Sequence, residues 1–124
     1  MNIALWAVAS VLALVFAASG FSKLALSREA LVAKGYGWAA DFTPSQVRLI
    51  GLLEVLGAVG LVGPPALRVA EMLSPAAAVG LAVLMAAAVV VHVRRRETAH
   101  LAVPLTLAII PAVLAVLRLG PYGF

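Results

Sequence analysis

Four long apolar runs dominate this chain, and they leave it few ways to fold. A helix needs roughly 20 apolar residues, within a range of about 17–25, to cross the hydrocarbon core of a bilayer. Ile3 to Phe21, Met72 to Val91 and Leu101 to Leu117 carry no charge, and Gln46 to Gly63 carries only Arg48 and Glu54. The expected fold class is all-α: a transmembrane four-helix bundle with a long cytoplasmic first loop. It forms a single membrane domain over 1–124, with helices at about 3–23, 44–63, 68–93 and 100–119.

Composition supports a lipid rather than an aqueous surrounding. Of the 124 residues, 65% are hydrophobic and only 11% charged, far from the balance of soluble domains. A soluble domain this small leaves too much of its surface exposed to hide so many Leu, Val and Ala side chains. The absence of cysteine excludes disulfides, thiolate metal ligation and a thiol redox centre of the chain's own.

Local chemistry marks several boundaries. Thr43-Pro44-Ser45-Gln46 fits a capping box, with Thr43 as N-cap, Pro44 at the first helical position and Gln46 reaching back. Gly63-Pro64-Pro65 is expected to stop the second helix, because the prolines cannot continue the hydrogen-bond ladder. Pro75, Pro104 and Pro111 fall within or near the later spans, where neighbouring helices can satisfy freed carbonyls. Ala17-Ala18-Ser19 resembles a small-residue cleavage site. With no basic segment before it and a long apolar run, the first segment reads as a span rather than a signal peptide.

Alternating the spans puts Lys23, Arg28, Lys34, Arg48, Arg94, Arg95 and Arg96 on one side and Arg68 and Arg118 on the other. The positive-inside rule makes the first side cytoplasmic and turns both termini outward, as in a bacterial plasma membrane protein. The net charge of +4 thus serves topology and headgroup contact rather than nucleic acid. In the first connection Tyr36, Trp38 and Phe42 are aromatic types that favour headgroups. Leu24 to Lys34 is expected either as a short helix along the interface or as a solvated loop.

Ionisable groups within a span are costly and usually mark function. Glu54 is the deepest. Gly51, Gly57 and Ala58 lie three or four residues from it and form a small-residue face that lets another helix approach, so Glu54 points toward protein. Gly57 and Gly60 could equally serve a homodimer. Arg48 and Glu54 lie about 120° apart around one helix and ~9 Å apart along it, so Lys23 or His92 from a neighbouring helix is the better partner. Lys23, Arg48, Glu54 and His92 are the candidate ligand-binding residues, and Glu54 and His92 the candidate catalytic ones. The bland readings are snorkelling for Lys23 and Arg48, an interfacial position for His92 and an interhelical anchor for Glu54. Glu71 and His100 are expected to contact water near span ends. No metal site is expected, since the two histidines are eight residues apart and Glu54 has no second carboxylate beside it.

With these residues placed, the chain resembles the DoxX-like family of small four-helix membrane proteins. The resemblance lies in Phe16-Ala17-Ala18-Ser19-Gly20-Phe21-Ser22-Lys23-Leu24, in Arg48-Leu49-Ile50-Gly51-Leu52-Leu53-Glu54 and in Ala88-Val89-Val90-Val91-His92. It implies an accessory or assembly subunit of a membrane redox complex, partnered by another membrane protein or by copies of itself. A second implied class binds or converts a lipophilic molecule, a quinone or isoprenoid, around Glu54, with proton transfer at that residue. A third transports protons or small solutes as an oligomer. The chain is expected to carry no cofactor of its own, a quinone being the candidate redox partner.

Overall fold

A computed structural model of the chain describes residues 2–97 and 101–123. It contains five α-helices: α1 (Asn2–Ala25), α2 (Arg28–Ala33), α3 (Pro44–Leu67), α4 (Leu73–Arg94) and α5 (Ala102–Leu119), with a 3-10 turn at Gly37–Asp41. All but α2 are long and apolar enough to span a membrane. His100 lies outside the described residues.

The order of packing follows the chain. α1 lies along α3, α3 along α4 and α4 along α5, while α5 touches α1 only sparingly. Buried positions recur at alternating spacings of three and four: Leu5, Ala9, Leu12 and Phe16 on α1, and Val47, Gly51, Glu54, Ala58, Leu61 and Pro65 on α3. That period suits nearly aligned helices whose ridges and grooves interlock. Lipid-facing positions are equally apolar, with Leu14, Leu56, Val83 and Val116 exposed, so hydrophobicity alone does not mark the seam. Side-chain size does. Gly57 and Gly60, the small residues weighed for a homodimer, meet Leu81 and Ala77 of α4.

Two helix ends differ from the expected ones. α3 runs through Pro64 and Pro65 to Leu67 instead of stopping at Gly63. Pro65 has no N–H for the carbonyl of Leu61, and the Ser74 hydroxyl of α4 donates to that carbonyl at 2.7 Å. A tertiary bond thus replaces the missing helical one. The helix ends one turn later, at Arg68 in the left-handed region, with Val69 N–H donating to Pro64 O and Arg68 N–H to Pro65 O. This is a Schellman closure. Arg68 and Ala70 both have positive φ, which delays α4 to Leu73 rather than residue 68. The Thr43–Gln46 capping box forms with both of its reciprocal bonds.

The connection between α1 and α3 contains a short helix, over Arg28–Ala33 rather than Leu24 to Lys34. α1 continues to Ala25, and Ser27 then caps the six-residue α2. Gly35, at φ +103°, closes α2 with Tyr36 N–H donating to Leu31 O. The chain turns back, and Leu31, Ala39 and Val47 form a small second core flanked by Tyr36, Trp38 and Phe42. The three aromatics expected at headgroups are thus half-buried against the bundle.

At Gly20 and Gly51 the backbones of α1 and α3 come into close contact. A Cβ on Gly20 would lie 2.5 Å from Gly51 O, and one on Gly51 would lie 2.7 Å from Gly20 O. Gly80 has nothing within 4 Å of its Cβ position. Gly20→Ala is therefore expected to lower stability by about 1–3 kcal/mol through forced separation of α1 and α3. Gly80→Ala should be neutral or stabilising by up to ~1 kcal/mol. Thermal unfolding of the two variants side by side in one detergent checks the difference.

Candidate functional site

The tight Gly20–Gly51 crossing brings Lys23, one turn further along α1, to Glu54, one turn further along α3. Lys23 Nζ lies 2.8 Å from Glu54 Oε1, and the two side chains are 6% and 1% exposed. Lys23 also donates to Ser19 Oγ at 2.6 Å, four residues back on its own helix. The remaining side of the ammonium meets the ring faces of Tyr36 and Trp38, with centroids 5.5 and 5.7 Å away. Cation–π contact of this kind contributes about 0.5–2 kcal/mol, more as water is excluded. Trp38 in turn packs edge-on against Phe42. The turn at Gly35 is what aims these rings at Lys23.

The pair is a close electrostatic contact rather than an aligned hydrogen bond. Neither Glu54 oxygen accepts a directed hydrogen bond among the described residues, and neither has surface open to water. A carboxylate so placed has unused acceptor capacity.

Glu54 and Lys23 border a cavity of about 890 Å³ that extends between α1, α4 and α5. Its walls are mainly apolar, with Phe16, Leu84, Ala88 and Leu107 among them, and its polar end holds Ser19, Lys23, Glu54 and His92. Val15 and Val103 also line it and are exposed, one on α1 and one on α5. The cavity therefore opens sideways at the loosely packed α1–α5 seam, where acyl chains would lie. A volume of this size is at the upper end of small-molecule sites, about 300–1,000 Å³, and the combination of apolar walls with a few convergent polar groups is typical of them.

The other two candidates are placed differently. His92 lines the cavity, but its Nδ1 lies 3.2 Å from Glu97 Oε1 rather than beside Glu54. Arg48 does not border the cavity. It is exposed and lines a separate hollow of about 220 Å³ with Lys23, Arg28 and Glu29. The six-residue offset from Glu54 turns it away, so the expected grouping of all four residues reduces to Lys23 and Glu54 in contact, with His92 of α4 lining the same cavity.

The arginine run does more than mark topology. Arg95 bonds Asp41, at the end of the 3-10 turn, and donates through Nε to Glu97 Oε1 at 3.0 Å. The hydrogen bond to Asp41 raises the Arg95 pKa above its ordinary value, against a smaller opposing effect of burial. Arg28 also donates to Phe42 O at 3.1 Å. These contacts fasten the aromatic segment across the end of the bundle. Ser19 is i−4 to Lys23, a pairing the helix period offers from sequence. The roles of Tyr36, Trp38 and Arg95 depend on the turn at Gly35 and have no such local signal.

The family model that matches the chain is that of the DoxX-like family, over residues 7–116. The protein belongs to the DoxX-like family. No curated protein and no solved structure matches it. The matched region contains the three segments between Phe16 and His92 that carry the resemblance and the polar end of the cavity, Ser19, Lys23, Glu54 and His92. In this DoxX-like chain the first motif supplies Ser19, Gly20 and Lys23, and the second supplies Gly51 and Glu54. The two short motifs thus meet face to face at one crossing.

Removing one member of a buried ion pair strands the other charge, at a cost of about 3–5 kcal/mol. Lys23→Met is therefore expected to destabilise the bundle by roughly 3 kcal/mol. Lys23→Met combined with Glu54→Leu should recover much of that loss. A double-mutant cycle by reversible unfolding in mixed micelles tests this, and additive losses would mean that the two groups are not coupled.

Proposed function

We propose that this integral membrane protein binds a lipophilic small molecule with a polar head, such as a quinone or an isoprenoid, in the cavity between α1, α4 and α5. The observation that carries the reading is Glu54, buried beside Lys23 at the polar end of a large apolar cavity and with acceptor capacity that no neighbour uses. An interhelical anchor alone would account for the ion pair but not for the adjoining space. The tail would enter from the bilayer through the α1–α5 seam, and the head would meet the polar end. Proton exchange at Glu54 would be the chemistry available to such a site.

The accessory or assembly role implied by the family is the second reading, and it has less support in the geometry. The large exposed side chains are mainly Leu, Val and Ile distributed over all four long helices, which suits acyl chains as well as a partner helix. Co-purification of a fixed partner from native membranes would favour that role, and so would a stable homo-oligomer. Transport draws no support from a single narrow bundle.

Organic extraction of protein purified with native lipids should release one lipophilic species in near-stoichiometric amount. Ala88→Trp, which fills the cavity from α4, should abolish its recovery while leaving the melting temperature within a few degrees. Equal recovery from both proteins, by mass spectrometry, would remove the proposal.

The distribution of basic residues supports an orientation with the Lys23 end of the bundle cytoplasmic and both termini outside a bacterial plasma membrane. The chain has no cysteine, so single-cysteine variants report topology cleanly. A membrane-impermeant maleimide added to intact cells should label Gly123→Cys and leave Glu29→Cys unlabelled. The reverse pattern would invert the assignment.

A further inference from the structure

The Glu54 carboxylate at the polar end has unused acceptor capacity, and that specifies a donor on the head of the ligand. As an ammonium, Lys23 has three N–H donors and no acceptor. One donates to Ser19 Oγ, another side faces Glu54, and the rest is covered by Tyr36 and Trp38. The Ser22 hydroxyl is likewise engaged, donating to Ala18 O at 3.0 Å. Glu54, the anion of the pair, offers only acceptors, and Oε2 receives no hydrogen bond among the described residues.

We infer that the cavity selects a neutral lipophilic molecule whose head carries a hydroxyl group, and that Glu54 is the acceptor for that hydroxyl. This rests on the proposed binding function and narrows its ligand class to hydroxylic heads: phenols, the quinol rather than the quinone form, or long-chain alcohols. A ketone or ether head would set a second acceptor against the carboxylate and leave it unsatisfied. A cationic head is opposed by Lys23, which already holds both the carboxylate and the aromatic faces a cation would use. Neither Glu54 oxygen has open surface as the bundle stands, so the head reaches Oε2 when the carboxylate turns toward the cavity that Glu54 lines, with Tyr36 and Trp38 kept over Lys23. Binding thereby replaces an unmade hydrogen bond with a charge-assisted one, the strong class of such bonds.

A matched pair of probes isolates the hydroxyl: para-dodecylphenol and its methyl ether share tail and ring and differ in the donor. Affinities are measured for the full chain in lipid nanodiscs and corrected with protein-free discs of the same lipid. The phenol should bind about tenfold or more tightly than the ether, the weight of one hydrogen bond to a charged group. In Glu54→Gln, which keeps the side-chain shape, that ratio should fall several-fold. The ether should still bind the variant, which shows that it is folded, and the same fall should appear in Lys23→Met combined with Glu54→Leu, which removes the acceptor without stranding a charge. Equal affinities in the wild-type protein would overturn the hydroxyl assignment while leaving a lipophilic site in place. Binding of neither probe would overturn both that assignment and the binding function. A preference for the phenol that is unchanged in Glu54→Gln would remove Glu54 as the acceptor.

Discussion

Lys23 and Glu54 are two opposite charges held away from water between two helices, and the rest of the site is arranged around the consequences. Taking an ion out of water costs several kcal/mol even after relaxation, and the mutual attraction offsets this only when the geometry is close and the remaining faces are occupied. Closeness requires α1 and α3 to touch, which Gly20 and Gly51 permit by presenting backbone to backbone. Occupation of the other faces requires a hydroxyl one turn back, at Ser19, and two aromatic rings above. The rings come from a segment distant from the contact in sequence, so that segment has to fold back over the bundle. Gly35 in the left-handed region makes the reversal, and Arg28 and Arg95 hold the returned segment in place.

The same pair explains why the cavity has two ends of different character. Small residues draw α1 onto α3 and α3 onto α4, whereas α5 follows α4 and leaves a gap beside α1. The gap is apolar along most of its length because the walls are ordinary membrane-helix residues. It becomes polar only where the ion pair borders it. An amphiphile entering from lipid would meet hydrocarbon first and charge last, in the same order as its own tail and head.

A good deal of this was legible in the residues. The four spans follow from length and charge, the capping box at Thr43 from its spacing, and the protein-facing position of Glu54 from the small residues on its face. Lys23 was one of two named partners for it. The end of α3 was misread because proline was weighed against the helix's own hydrogen bonds, while the donor that replaces one of them, Ser74, lies across the turn on α4. Arg48 was named as a candidate ligand group beside Glu54 although the turn of the helix already set the two apart, and it lines a different hollow. Tyr36, Trp38 and Phe42 were read from their types, which suit the headgroup region, and type does not say that the segment folds back to lay two of these rings over Lys23.

By itself the sequence determined that the chain crosses a membrane four times and that one carboxyl group lies deep among apolar residues. Both follow from transfer free energy, which is a property of each segment alone. The tertiary structure decided which cation meets that carboxyl group, which aromatic rings cover the cation and where space is left for a ligand. In a chain apolar on every face, hydrophobicity does not distinguish a surface packed on protein from one bathed in lipid. That choice rests on close-range fit between side chains from different helices.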